Sequence, residues 1–237
     1  MEKEQAMFER IGSMHRFLQA RAFYALVLSS ALALALLAAR VARTHQLSLT
    51  FLAWNLALAW MPYLASLWAA ATQLRRPGAW WLLLAPGALW LLFFPNAPYI
   101  VTDLIHLRER PPVPLWYDIG LLAAFMLAGC FLAVVSLQVM QTLVRRTAGA
   151  AASWLFVLGA SGLAGLGVYL GRVLRWNSWD ALLYPRDVLA DALAPLLHPR
   201  GNLHPLALSA EFAAVLFVCY VTFYCVRQGG RLGDERR

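Results

Sequence analysis

Residues 93–107 read FFPNAPYIVTDLIHL, the tail of an apolar run that then admits two prolines, an asparagine, an aspartate and a histidine. Proline removes a backbone donor and disfavours helix at the residue before it, so Pro95 and Pro98 end or break a helix here. If the run upstream crosses a bilayer, the break lies near one membrane surface. Asn96 can then satisfy backbone groups that the prolines free.

The rest of the chain supplies that setting. Of 237 residues, 61% are hydrophobic and only 14% charged, and the mean hydropathy is +0.60, outside the range of soluble domains. About 20 apolar residues are needed to cross a hydrocarbon core of about 30 Å. Six stretches qualify, at roughly 22–39, 48–73, 79–101, 115–142, 151–171 and 206–226. The sequence therefore predicts an all-α, polytopic membrane helix bundle of six spans over residues 22–226, with a charged leader at 1–21 and a charged tail at 227–237. The leader is too long and the first apolar stretch too extended for a cleaved signal, so the first span reads as a retained anchor. Residues 178–198, split by Pro185, are too interrupted to cross. Their leucines recur at helical spacing opposite Asp187 and Asp191, which predicts two short interfacial helices between spans five and six.

The net charge of +8 comes from short basic groups between apolar segments, not from one stripe, which argues against a nucleic-acid partner. The partner is the lipid bilayer. Six spans place both ends and the turns 74–78 and 143–150 on one side with twelve Lys and Arg, against eight on the other. Basic residues favour the cytoplasmic side, so both termini are expected in the cytoplasm of a cell (inner) membrane. Cys130, Cys219 and Cys225 lie in apolar segments without the paired spacing of a metal site and read as small hydrophobes. Oligomeric state leaves no mark on the sequence.

Polar residues concentrate in three stretches, PNAPYIVTDLIH from 95, PLWYD from 114 and GRVLRWNSWD from 171, all at the extracytoplasmic ends of spans in this topology. Asp103, Glu109, Asp118 and Asp180 there meet Arg108, Arg110, Arg172 and Arg175. Charge near hydrocarbon is costly unless paired or solvated, so a polar cavity with ion pairs is expected. Asp103, His106 and Asp118 are the candidates for acid/base work, and Asn96, Tyr99, Arg172, Arg175, Asn177 and Asp180 for binding an anionic or lipid-linked ligand. Each has a plainer reading. Asp103 and Asp118 could lock helices together by pairing with Arg172 and Arg175, the tryptophans and tyrosines suit an interfacial belt, and Asn177 could cap the helix that Asp180 begins.

Other chemistry is weakly signalled. GASG at 159–162 resembles the serine stretch of rhomboid proteases, but no histidine follows on the sixth span to serve as base, so Ser161 reads as a packing residue. Asp103 and His106 share a helical face with too little around them to call a metal site, and there is no Gly-rich phosphate loop or dinucleotide fingerprint, which leaves the cofactor open. In GASGLAGLGVYLG, residues 159–171, Ser161 with Gly165 and Gly167 with Gly171 form small faces that let helices approach closely, which places the fifth span at the centre of the bundle.

FFPNAPYIVTDLIHL, WYD and GRVLRWNSWD together resemble the signature of a family of prokaryotic multi-pass membrane proteins catalogued as a domain of unknown function. The resemblance implies an integral membrane protein of about this size and supplies no activity, substrate or catalytic residues. Three classes therefore remain in view: an enzyme on an envelope or lipid-linked substrate, a small-molecule transporter, and a structural or assembly protein in which the polar cluster clamps helices.

Overall fold

The computed structural model describes residues 2–234; Arg236 and Arg237 of the basic tail lie outside the described residues. Regular structure among them is helical apart from an isolated bridge between Arg110 and Val113. Helix α1, Glu2–Gln19, leads to α2, Phe23–Thr44. On α2 the buried residues Leu26, Ser30, Ala33, Leu37 and Arg40 alternate steps of four and three, the spacing of a seam against a neighbouring helix. Trp60 of α3, Phe51–Arg75, fixes that seam by donating to Ser30 at 3.1 Å. Tyr117 of α6, Leu115–Arg172, does so by donating to the Leu36 carbonyl at 2.8 Å.

After a turn at Gly78, a 3-10 turn at Trp80–Leu83 opens α4, Leu84–Phe93. Pro95 and Pro98 break this segment without ending it. The chain continues as α5, Asn96–Tyr99, and a 3-10 stretch, Ile100–His106, so that Trp80–His106 remains one apolar length. Helix α6 holds two of the expected spans, separated by Gly149, whose φ of 86° and ψ of 179° lie outside helical space. That backbone region is nearly exclusive to glycine. Helices α7, Asp180–Leu183, and α8, Pro185–Leu197, follow, and α9, Leu203–Asp234, closes the chain.

Four of these lengths are long and apolar enough to cross a membrane: Phe23–Thr44, Trp80–His106, Leu115–Arg172 and Leu203–Gln228. The difference from the six expected stretches has two causes. One is that α6 joins two of them; the other is that Asn55, Pro62, Tyr63 and three tryptophans dilute the hydropathy of α3.

The second half of α6 does pack at close range, as its small residues predicted. A methyl group added at Gly165 would stand 2.0 Å from the Ser209 carbonyl oxygen of α9, and one at Gly167 would stand 2.5 Å from the Pro95 ring. The proline break is thus seated directly on α6. Ser161 bonds the Val157 carbonyl of its own helix, in keeping with a packing role.

Candidate functional site

The expected acid and arginine cluster forms as two separate networks. Asp118, on the first turn of α6, takes a two-pronged ion pair from Arg40 of α2, with Nε to Oδ1 at 2.7 Å and Nη2 to Oδ2 at 3.2 Å. Both side chains are sealed from solvent, at 0% and 2% exposure, where a fork of this geometry offsets the cost of burying two charges. The expectation that Asp118 would meet Arg172 or Arg175 is corrected here. Arg40 falls on the buried stripe of α2, not in the loop beyond it, and its register carries it to Asp118. Arg110 lies nearby with Nη1 buried and unpartnered; burial, together with the Arg108 and Arg40 cations, pushes its guanidinium below the ordinary value against the pull of Asp118.

Asp103 anchors the second network. It is 1% exposed, accepts from the Asn55 amide at 2.8 Å and stands 3.5 Å from Arg172 Nη2. Arg172 also donates to the Thr102 carbonyl and, at 3.3 Å, to the Tyr99 hydroxyl, with its guanidinium 5.3 Å from the Tyr99 ring centre. The proline break makes this possible: Ile100–His106 winds as a tight 3-10 stretch, and Gly171 lets the Tyr99 ring lie close against α6. Asn96 donates to the Phe93 carbonyl at 3.0 Å, as expected of a residue that satisfies freed backbone, and to Ser178 at 2.8 Å.

Beside this network lies a cavity of about 720 Å³ bounded by α3, the break, the second half of α6 and the α7–α8 segment. Asn96, Tyr99, His106, Arg172, Arg175 and Asn177 all line it. Arg175 is exposed and, among the described residues, has no hydrogen-bond or ion-pair partner. Its φ of 63° is a left-handed conformation usually left to glycine, adopted where the chain leaves α6 and Trp176 N–H caps the helix by donating to the Leu170 carbonyl at 3.1 Å. Trp176 also donates through its ring nitrogen to Asp191 at 2.8 Å, tying α8 over the cavity. His106 lines the cavity and meets Phe51 edge to face, with ring centres 4.9 Å apart.

One further expectation is corrected. Asn177 does not accept from the next helix: its backbone N–H and side-chain amide both donate to Asp180, at 2.7 and 3.2 Å, so Asp180 is the capping acceptor. The leucines of α8 do not line the cavity. Leu189, Leu196 and Leu197 are exposed, and the smaller Val188 and Ala192 turn inward. Among the described residues no three of His, Cys, Asp and Glu stand close enough to hold a metal ion, and Asp118 does not line the cavity beside His106. Sequence reasoning missed Arg40 and Ser178 as members of these networks, and the signal for Arg40 was its place on the α2 stripe. Asn55, isolated on an apolar helix, reads from the sequence as a kink or an interhelical hydrogen bond, and the structure gives the hydrogen bond, to Asp103.

Buried ion pairs inside, exposed leucines and tryptophans outside and four lengths apolar enough to cross a bilayer define a helical integral membrane protein. Within that class, the chain belongs to the family described as "Protein of unknown function (DUF1361)", which matches residues 54–225. No curated protein and no solved structure matches it.

Proposed function

We propose that the chain is a six-pass protein of a prokaryotic inner membrane, with both termini cytoplasmic, that takes an anionic, lipid-linked ligand into the cavity on its extracytoplasmic side. The six-pass reading rests on where helix ends gather. Arg21, Leu74, Arg146 and Tyr224 line one cavity, whereas Asn55, Asn96 and Arg172 line the other, as six alternating passes require. Burial of Arg40 and pairing of Arg172 leave fewer free basic residues outside, which agrees with cytoplasmic termini.

The ligand reading is carried by the composition of the larger cavity. Leu58, Leu91 and Leu163 form part of its wall, and Arg172, Arg175 and Asn177 another part, so an apolar chain and an anionic group are accommodated together. Arg172 is held by Asp103, Thr102 and Tyr99, while Arg175 is uncommitted and is the residue that would meet the anion. Asp103 then serves as a positioning residue for Arg172. His106, which lines the cavity, is the group placed to move a proton on a bound substrate if the protein is an enzyme. Asp118 and Arg40 act as a clamp.

Native mass spectrometry of the full chain, purified from membranes in mild detergent, tests the reading. An anionic lipid or lipid-linked species is expected to remain bound to the parent protein and to be lost from Arg175→Gln. Absence of any such species, or its equal retention by Arg175→Gln, would overturn the proposal.

A further inference from the structure

A second cavity, of about 380 Å³, lies where the N-terminal end of α2, the C-terminal end of α3, the middle of α6 and the last turns of α9 meet. Arg21, Arg145, Arg146 and Arg227 line it, with Gln138 and Thr142, and no carboxylate among the described residues does. Three of the arginines are held by neutral groups. Arg21 donates to the Phe17 carbonyl at 2.9 Å and lies 3.7 Å from the centre of the Phe17 ring. Arg145 reaches the Tyr224 hydroxyl at 3.4 Å, and Arg227 donates to Gln138 Oε1 at 2.6 Å. Arg146 has no hydrogen-bond or ion-pair partner among the described residues.

Sidedness accounts for basic residues at this end of the bundle, but not for their gathering around one polar hollow. Four like charges facing one space repel one another, and none of the neutral contacts offsets that repulsion. Burial lowers the tendency of Arg21 to hold its proton; Tyr63 opposes this and the Arg146 cation adds to it. An anion with several acceptor oxygens would offset it, and guanidinium forks are the fitting donors for such a group. We infer that this cavity binds a phosphate group, supplied by an acidic phospholipid headgroup of the adjacent leaflet or by a soluble phosphate compound, with Arg146 and Arg145 as its principal ligands. Basic pockets between membrane helices are suited to either source.

The test is the melting temperature of the purified full chain in two arms. One arm adds inorganic pyrophosphate against chloride at matched ionic strength; the other compares phosphatidylglycerol with phosphatidylcholine in mixed micelles. A rise is expected in at least one arm, with pyrophosphate marking a soluble ligand and phosphatidylglycerol alone marking a headgroup. Arg146→Gln is expected to weaken the apparent affinity on the order of tenfold, the effect of one charge-assisted hydrogen bond, and Arg200→Gln, at an exposed arginine that lines neither cavity, to leave it unchanged. Should Arg146→Gln not purify, Arg227→Gln replaces it. No rise in either arm, or a rise that these variants retain in full, overturns the inference and leaves the reading of the larger cavity untouched.

Discussion

Arg40 and Arg172 are both arginines paired with a buried aspartate at the same end of the bundle, yet their loss is expected to have different consequences. Arg40 and Asp118 are wholly enclosed, so Arg40→Gln or Asp118→Asn strands a charge and is expected to cost about 3–5 kcal/mol. A large fall in melting temperature would register this, and the double variant Arg40→Met with Asp118→Leu is expected to recover much of it, because an apolar pair of similar bulk carries no desolvation cost. If the double variant is no better than either single change, the pair does more than clamp. Arg172 keeps 22% of its side chain exposed beside the cavity, where its orientation matters to a ligand. The identity of the polar residues was legible in the sequence; their pairing was not. Pairing depends on helix rotation, and only the four-and-three spacing that ends on Arg40 gave a hint of it.

At the level of the helix, close approach is the decisive quantity. Gly165→Ala is expected to destabilise by about 1–3 kcal/mol or more, the usual range for overpacking, because the added methyl meets backbone that cannot rotate away. Gly162→Ala, three residues earlier with open space around it, is expected to be neutral or slightly stabilising, since alanine is the better helix former. Equal melting temperatures for the two variants would refute the packing described for α6 and α9. The small-residue pattern made this helix recognisable before any coordinates. The break at Pro95 was equally legible, since proline chemistry is local. The outward leucines of α8 were not, because the pattern shows that a helix has two faces without saying which one meets protein and which meets lipid.

Across the whole molecule, the alternation of helix ends between two cavities predicts a topology map. Reporter fusions after Arg76, near Arg146 and at the C-terminus are expected to share one side of the membrane, with fusions near Arg110 and Arg200 on the other. Either terminus found outside would reverse the assignment of both cavities. Hydropathy made the membrane class legible, but it treats residues 143–150 as an ordinary loop. In the structure that loop is a single residue, Gly149, between two helical lengths. A flexible loop lets the helices it joins settle their rotations independently; a one-residue turn does not. The two halves of α6 are therefore set in phase, like two gears on one shaft, and each added residue would advance the second by about 100°. Such a slip would carry Gly165 away from α9 and Arg172 away from Asp103 together. The chemistry of the larger cavity is thus timed from the opposite end of the bundle, by the length of a turn that touches neither partner.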